Sequence, residues 1–384
     1  MNLAESLSHL KGLVDNINTI VEDKGHLDHP EDLVFLADVP GAKQAITAIT
    51  STVNTPNTVT IKWDGYPALI FGRGVNGKFS IMDKHMFNKK DGSGRAVYSP
   101  EQFRQYDIAR GVDRSDLHRL INEIWPGLEK ASSSAKGYYW GDLLFSQPLV
   151  DKNGVFTFKA NPNGITYTVD TSSDVGKLMA GKTAGIAVHQ QLAPEAASTD
   201  FATTLNGTIG NLKNNSDVAI VPSAMPNTPK IKLDAGLVKN VKSAIAKYSA
   251  DVDQLINSAP QAKNTFNQLF TVYINKKIVS GNLENLVEDF MGFFKTRPMS
   301  DDMAYKLSDH FHVNQKGIIG AFTVWIALYQ LKMSIVNQLN EAAKASPVKG
   351  YLQDGSETHE GFVSNGLKFV DRMGFSRQNL AGRA

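Results

Sequence analysis

The sequence contains no cysteine, which excludes disulfide bonds, thiol catalysis and metal sites built on cysteine. This composition is compatible with a reducing compartment. A charge excess of one sign is also lacking, because 40 Lys and Arg residues stand against 38 Asp and Glu residues, for a net charge of +2. The chain therefore has no global signature of polyanion binding, and any basic surface must be local.

Long uninterrupted hydrophobic runs are missing as well. Residues 1–20 contain Glu5 and Lys11, so they lack the apolar core of a signal peptide. The most apolar stretch, residues 318–336, is interrupted by Lys332. We therefore expect a buried core helix in this stretch and no membrane span.

Helical and β-type sequence patterns divide the chain into four segments. Its 384 residues are enough for two or three domains of ordinary size. Helical spacing predicts an N-terminal helical segment over residues 1–53, and short β-type runs predict a core over residues 54–235. Nearly continuous helix fills residues 236–347, and β-type runs return over residues 348–384. This order predicts an α+β fold, with antiparallel sheets and a large α-helical insertion.

The periodicity also predicts individual elements. Helices are expected over residues 3–21 and 42–52, and the Phe and Trp residues of the helical block are expected to be core. A hairpin is expected to turn at Asn365–Gly366. Strands are predicted over residues 59–62, 68–72, 78–83, 138–145, 155–159, 165–169, 185–189, 216–221 and 230–233.

The first motif with chemical content is Lys62-Trp-Asp64-Gly65, at the end of a predicted strand. A lysine amine is a nucleophile when deprotonated, and burial or nearby cations lower its pKa. Asp64 lies on the same side of an extended chain as Lys62, where it could bind a ribose, orient the amine or hold a metal. Gly65 permits a close backbone approach to a ligand. Alone, the motif also fits a common hairpin turn with a solvated lysine.

Three more motifs follow along the chain: Tyr-Tyr-Trp-Gly-Asp at residues 138–142, Glu360-Gly361-Phe-Val and Leu-Lys368-Phe. Read in this order with Lys62, they resemble the covalent nucleotidyltransferase superfamily, which comprises ATP-dependent DNA ligases, RNA ligases and capping guanylyltransferases. The resemblance implies an ATP-grasp-like adenylation core. In that core, the lysine of the first motif attacks the α-phosphate of the nucleotide and becomes covalently linked to the nucleoside monophosphate.

The resemblance also implies roles for single residues. Lys62 corresponds to the lysine that takes AMP, and Lys368 to a lysine that contacts the α-phosphate. Phe156 or Phe158 corresponds to the aromatic residue that stacks on the base. The other residues implied in nucleotide binding are Asp64, Gly65, Asp142, Glu360 and Gly361, with Arg73 and Lys84 as basic residues after the first motif.

The implied cofactors are ATP and Mg²⁺. The carboxylates of Asp64, Asp142 and Glu360 are hard oxygen donors, so they are the candidate metal ligands. The implied partner is a nucleic-acid end, RNA or DNA.

The sequence departs from the superfamily pattern in three ways. Pro67 stands where DNA ligases usually have arginine, Asp142 stands where glutamate is commoner, and Val370 replaces a second lysine after Lys368. Because the sequence stops soon after Lys368, we expect no C-terminal OB-fold. The expectation is therefore an enzyme of RNA-ligase type, with the helical block of residues 236–347 as its nucleic-acid platform.

A second resemblance spans most of the chain. His-Pro-Glu-Asp at residues 29–32, Lys-Trp-Asp-Gly-Tyr-Pro-Ala at 62–68 and Lys-Phe-Val-Asp-Arg at 368–372 are similar to a group of proteins of large tailed bacteriophages. This similarity implies a place in the host cytoplasm during infection, or in the virion. It supplies no activity.

Other patterns compete with these motifs. Residues 176–183 fit the P-loop spelling, but the predicted order is helix before strand, the reverse of a P-loop. His26 and His29 have loose zinc spacing without a third strong ligand. Lys89, Lys90 and Arg95 belong to a basic, glycine-rich segment that either contacts phosphates or is a solvated loop.

Three hypotheses for function stay open at this point. The first is a phage-encoded ATP-dependent polynucleotide ligase, of RNA-ligase type, that forms a Lys62–AMP intermediate and passes AMP to a 5′-phosphate end. The second is a catalytically inactive ligase-fold protein that binds nucleic acid or acts in phage assembly. The third is a transferase that moves the nucleotide to a protein or small molecule.

Overall fold

A computed structural model describes most of the chain. The predicted helix over residues 3–21, His26, Lys89, Lys90, Arg95 and the turn at Asn365–Gly366 lie outside the described residues. The described residues are 28–36, 38–54, 59–87, 96–160, 164–195, 204–205, 211–222, 230–260, 263–297, 299–352, 354–364 and 367–376.

Eleven α-helices lie in the described part of the chain. Several begin at a side chain that satisfies a free backbone N–H: Asp234 accepts from Leu237 and Ser300 from Met303. The helices are α1 (Leu33–Leu36), α2 (Asp38–Asn54), α3 (Lys84–Phe87), α4 (Pro100–Ala109), α5 (Ser115–Ala131), α6 (Asp174–Met179), α7 (Ala235–Asn257), α8 (Lys263–Ser280), α9 (Leu286–Lys295), α10 (Asp301–Val313) and α11 (Gln315–Ala343).

Fourteen strands lie in the same described part of the chain, in runs that are largely separate from the runs of helices, which is consistent with the α+β class. They are β1 (Thr60–Ile61), β2 (Ala68–Arg73), β3 (Phe79–Asp83), β4 (Gly137–Phe145), β5 (Asp151–Lys152), β6 (Val155–Lys159), β7 (Thr166–Asp170), β8 (Ala184–Leu192), β9 (Thr204–Leu205), β10 (Val218–Val221), β11 (Val348–Tyr351), β12 (Glu357–Thr358), β13 (Phe362–Ser364) and β14 (Leu367–Phe369).

The strands form three sheets. One has the order β1-β13-β14, the second β10-β8-β4-β2-β3 with β9 beside β8, and the third β12-β11-β7-β6-β5. The pairings are antiparallel as predicted, except that β10 lies parallel to β8. The predicted hairpin is confirmed by the pairing of β13 with β14.

The predicted strand over residues 230–233 is wrong. The main chain of Lys232 bonds instead to the side chain of Gln338, which donates to its carbonyl at 2.9 Å and accepts from its N–H at 2.7 Å. A glutamine of α11 thus replaces a neighbouring strand as the partner of this backbone.

The largest hydrophobic core joins the helices to the small sheet. Helices α2 and α7–α11 bury their apolar faces together with Ile61, Phe362, Leu367 and Phe369 of β1, β13 and β14. Helix α11 is long and apolar enough to cross a membrane by length and composition, but most of its apolar stretch is buried inside this core. The aromatic residues predicted to be core are buried here: Phe290, Phe293, Phe294, Phe322 and Trp325.

Two further cores complete the molecule. One lies between the six-stranded sheet and helices α4 and α5. The other contains Trp63, Phe158, Tyr167 and Val370, and it fills the space around the five-stranded sheet. The segment from β1 to β2 therefore passes from the helical core to the sheet cores.

Four buried charged residues form ion pairs that join three parts of the chain distant in sequence. Lys332 of α11 donates to Glu31 Oε1 at 2.6 Å, and Arg372 donates to Asp32 Oδ1 at 2.8 Å and to Glu31 Oε1 at 3.2 Å. Trp325 Nε1 also donates to Asp32 Oδ1, at 2.8 Å. We call Glu31, Asp32, Lys332 and Arg372 the buried charge cluster.

The cluster predicts a large effect of one substitution. In Arg372→Met, Asp32 keeps only the indole of Trp325 among these partners, so we expect a loss of about 3 kcal/mol or more in the free energy of unfolding. Urea unfolding followed by circular dichroism measures it.

Arg119→Met is the matched control, because Arg119 pairs with Asp116 in solvent. Exposed pairs contribute about 0–1 kcal/mol. Equal losses for the two variants would contradict a structural role of the cluster.

Candidate active site

The small sheet brings together three motifs from opposite ends of the chain. Thr60 of β1 lies opposite Val363 of β13, and Val363 lies opposite Lys368 of β14. Just beyond β1, the N–H of Lys62 donates to the carbonyl of Gly361 at 2.9 Å. Lys62 and Lys368 therefore share one small sheet, with the Glu360–Gly361 backbone beside Lys62.

Lys62 and Glu360 form a direct ion pair through Nζ and Oε1. Within the described structure, the other oxygen of Glu360, Oε2, is buried and has no hydrogen-bond partner. The burial of this carboxylate, followed by the charge of Asp64, raises its pKa above the usual value.

The charge environment keeps the Lys62 amine protonated. Burial lowers the pKa of Lys62, but Glu360, Asp142 and Asp64 raise it by more, so that the pKa lies above its ordinary value. In this state the amine is an ammonium ion and not a nucleophile.

A hydrogen bond from its backbone holds Asp64 in place. Its N–H donates to the hydroxyl of Tyr167 at 2.7 Å, and the rings of Trp63 and Tyr167 lie 4.9 Å apart between centroids. Burial, followed by the charge of Glu360, raises the pKa of Tyr167 well above its usual value, so the phenol stays neutral. The Lys62-Trp63-Asp64 turn thus packs on Tyr167, a buried residue that the turn's own sequence motif did not predict.

Two glycines allow the chain to pass closely at this point. A Cβ on Gly65 would lie 2.7 Å from the Cβ of Asp142 and 2.7 Å from the carbonyl oxygen of Leu143. A Cβ on Gly361, where φ is 152°, would lie 2.6 Å from Val370. Both positions therefore require glycine to bring the motifs into contact.

Asp142 approaches the ion pair from the six-stranded sheet. Asp142 lies in β4, opposite Ala68 of β2, and its Oδ2 is 3.0 Å from Nε2 of His189 on β8. Its charge acts on Lys62 and on Lys84. His189 is therefore a neighbour of the site that the sequence placed only at the end of a predicted strand.

Two more lysines lie within electrostatic reach of Lys62. Burial, followed by the charge of Lys62, lowers the pKa of Lys368. Burial lowers the pKa of Lys84 too, and its amine lies 5.3 Å from the ring centroid of Trp140. We call Lys62, Lys84, Lys368, Asp64, Asp142 and Glu360 the lysine–carboxylate cluster.

Of the two basic residues expected after the first motif, Lys84 reaches this cluster and Arg73 does not. Arg73 ends β2, opposite Gly137, whereas Ala68 at the start of β2 lies opposite Asp142. Its guanidinium donates to the carbonyl of Gly77 at 3.0 Å and lies 3.6 Å from Glu129. The nucleotide-binding role expected for Arg73 therefore has no support from its position.

The two candidate stacking residues, Phe156 and Phe158, are both buried in the core around the five-stranded sheet. The ring of Phe158 lies 5.7 Å from that of Tyr167 and 5.9 Å from that of Phe145. Phe158 also lines a cavity of about 540 Å³. Of the two, Phe158 is therefore the one that reaches open space.

The candidate metal ligands surround Lys62. Among the residues with described side chains, no group of three or more His, Asp or Glu residues is arranged to hold a metal ion. Asp64, Asp142 and Glu360 are nevertheless hard oxygen donors, and Oε2 of Glu360 is an oxygen that a cation would satisfy. Their chemistry fits Mg²⁺ bound together with a nucleotide.

The competing motifs have structural explanations. Lys182 of the P-loop-like segment donates to the carbonyl of Asn215 at 2.7 Å, in a turn from α6 into β8. His29 directly precedes the turn that carries Glu31 and Asp32 of the buried charge cluster.

Comparison with known proteins places the chain in a family. The model of a family of unknown function, DUF6267, matches residues 24–383, so the chain belongs to that family. No curated protein and no solved structure matches the chain.

The ion pair predicts how the reactivity of Lys62 changes. In Glu360→Gln the pKa of Lys62 should fall, because the nearest negative charge is removed and the burial remains. Modification of Lys62 by an amine-directed acylating reagent should then begin at lower pH. Peptide mass spectrometry over a pH series measures this shift.

Glu357→Gln is the control, since Glu357 lies at the surface, 3.8 Å from Lys349. If both variants gave the pH curve of the unaltered protein, the ion pair would not govern the amine.

Proposed function

We propose that the protein is an ATP-dependent nucleotidyltransferase of polynucleotide-ligase type, with an ATP-grasp-like adenylation core. The observation that supports this most is the shared sheet of β1, β13 and β14, which joins the Lys62, Glu360 and Lys368 motifs. Sequence order alone suggested these motifs, and their contact in space is an independent property of the fold.

In the proposed first step, the Lys62 amine attacks the α-phosphorus of ATP. A P–N bond forms, the bond from the α-phosphorus to the bridging oxygen breaks, and pyrophosphate leaves. The ammonium must first lose a proton, and the Glu360 carboxylate in contact with it is the nearest acceptor. Glu360 then holds the Lys62 amine in place and takes up its proton.

The other members of the lysine–carboxylate cluster have supporting roles in this proposal. Lys368 and Lys84 would oppose the negative charge of the phosphates. Mg²⁺, held with the nucleotide by Asp64, Asp142 and Glu360, would neutralise phosphate charge in the same way. Gly65 and Gly361 contribute by letting the motif backbones pack closely enough to hold these side chains together.

In the proposed later steps, a 5′-phosphate end displaces Lys62 from the AMP, which breaks the P–N bond and forms a pyrophosphate link. A 3′-hydroxyl then attacks that end and releases AMP. The proposed substrate is therefore a nucleic-acid end, and the proposed place of action is the cytoplasm of a phage-infected host.

One observation favours a second candidate function, a binding protein of the same fold without catalysis. Val370 occupies the position of a second motif lysine, and its side chain is buried in an apolar core. Nucleotide or nucleic-acid binding without covalent labelling is the outcome expected of such a protein.

The proposed function predicts a covalent adduct. After incubation with ATP, Mg²⁺ and pyrophosphatase, intact-mass spectrometry should show the addition of one AMP. Lys62→Ala should lose the adduct, and Lys62→Arg should lose it too while it keeps a positive charge beside Glu360.

Lys177→Ala, at an exposed lysine of α6, is the matched control and should keep the adduct. An adduct retained in Lys62→Ala would refute the lysine assignment. No adduct with either ATP or GTP would favour the inactive binding protein.

A further inference from the structure

A groove opens directly beside the Lys-Trp-Asp-Gly turn. It consists of two cavities of about 540 Å³ and about 830 Å³. The two cavities adjoin each other, since six residues line both, namely Tyr66, Leu143, Ser146, Gln147, Lys159 and Ala160. Each is as large as the pockets that hold small organic ligands, and together they form an extended site.

Tyr66 stands at the centre of this groove with its ring in solvent. The side chain is 65% exposed. Its backbone is fixed, because the N–H of Tyr66 donates to the carbonyl of Leu143 at 2.9 Å and the N–H of Leu143 donates to the carbonyl of Pro67 at 3.1 Å. A rigid backbone thus presents an aromatic face two residues after Asp64.

Uncompensated positive charge lies beside this ring. Lys152 and Lys159 line the smaller cavity, which has no acidic lining residue. Both are exposed, and neither makes an ion pair or side-chain hydrogen bond with any other residue whose placement is described. Their charges are therefore available to an anionic ligand.

The larger cavity differs in this respect. Arg114 is neutralised by Asp83 and Asp107, at 2.7 and 2.6 Å, and Arg119 pairs with Asp116 at 3.0 Å. Lys159 lines both cavities and Lys152 only the smaller one, whereas the acidic residues Asp113, Asp116 and Glu123 line only the larger one, so positive charge predominates at the Lys152 end of the groove.

We propose that this groove binds a single strand of nucleic acid, with a base stacked on Tyr66 and phosphates at Lys152 and Lys159. An exposed aromatic ring flanked by lysines is the arrangement with which proteins bind single strands, whose bases are free to stack. Paired bases in a duplex do not present their faces to a protein ring. The proposal rests on the proposed transferase function, because the groove adjoins the Lys62–Gly65 turn through Tyr66 and would hold the 5′-phosphorylated strand beside that turn.

Binding of a fluorescent, 5′-phosphorylated single strand, measured by anisotropy, tests the groove. Tyr66→Ala should weaken binding by on the order of tenfold, since stacking on an aromatic side chain contributes about 1–3 kcal/mol per base. Tyr66→Trp should restore binding. Lys152→Ala and Lys159→Ala should each weaken binding and reduce its salt dependence by about one unit of the logarithmic slope.

Two control variants match these changes. Tyr305→Ala removes another highly exposed tyrosine, on α10, and Lys177→Ala removes an exposed lysine on α6. Both should bind the strand as the unaltered protein does. The same strand annealed to its complement should bind more weakly than the single strand.

Three outcomes would overturn the proposal. They are equal binding by Tyr66→Ala and Tyr305→Ala, a preference for the duplex, and a loss of ATP affinity in Tyr66→Ala without a loss of strand affinity. The last outcome would assign the groove to the purine of the nucleotide. Because the assay needs no covalent step, an unlabelled Lys62 would refute the proposed function and leave the groove assignment standing.

Discussion

The buried charge cluster is the interaction on which the arrangement of the chain depends. Glu31 and Asp32 come from the start of the described chain, Lys332 from the longest helix, and Arg372 from the segment after the last strand. Charges out of water are costly unless each finds a partner, so the cluster tolerates only one relative placement of these segments. Its contribution is therefore to position them more than to add stability.

That placement determines the sheet that carries the motifs. Beside the cluster, the carbonyl of Asp28 accepts from the N–H of Lys368 at 2.9 Å, so the N-terminal segment lies against β14. The apolar sides of β1, β13 and β14 are buried in the helical core. The helical block consequently supports the sheet that carries Lys62, Glu360 and Lys368, and it is more than an insertion beside a separate β-sheet core.

The lysine–carboxylate cluster is assembled across this boundary. Lys62, Glu360 and Lys368 lie in or directly beside the strands of the sheet on the helical core, whereas Asp142 lies in β4 of the six-stranded sheet and Lys84 begins α3, directly after β3 of that sheet. Three lysines and three carboxylates leave little net charge at the site. A polyphosphate entering the site would add negative charge beside the Lys62 ammonium and the Glu360 carboxylate, which are in direct contact.

The sequence indicated part of this arrangement. Motif order suggested that Lys62, Glu360 and Lys368 meet, and β-type runs predicted most strands. Distance along the sequence could not show that Lys84 lies near the site and Arg73 does not. Strand β2 carries the chain away from the site, and β3 returns it. Tyr167 and His189 gave no signal, since each lies within a strand whose alternation is the same whether its polar atom meets water or a motif.

The pairing of β1 with β13 also sets the order of events during synthesis. Residues 60–61 leave the ribosome well before residues 362–363, with which they pair, because roughly 300 residues separate the two strands. The six-stranded sheet draws all its strands from residues 68–221 and can form in the meantime. Domains generally fold as their segments emerge, whereas pairings between distant segments form late. A ribosome-bound chain stopped before residue 360 therefore has Lys62 without the Glu360 and Lys368 that lie beside it in the folded protein.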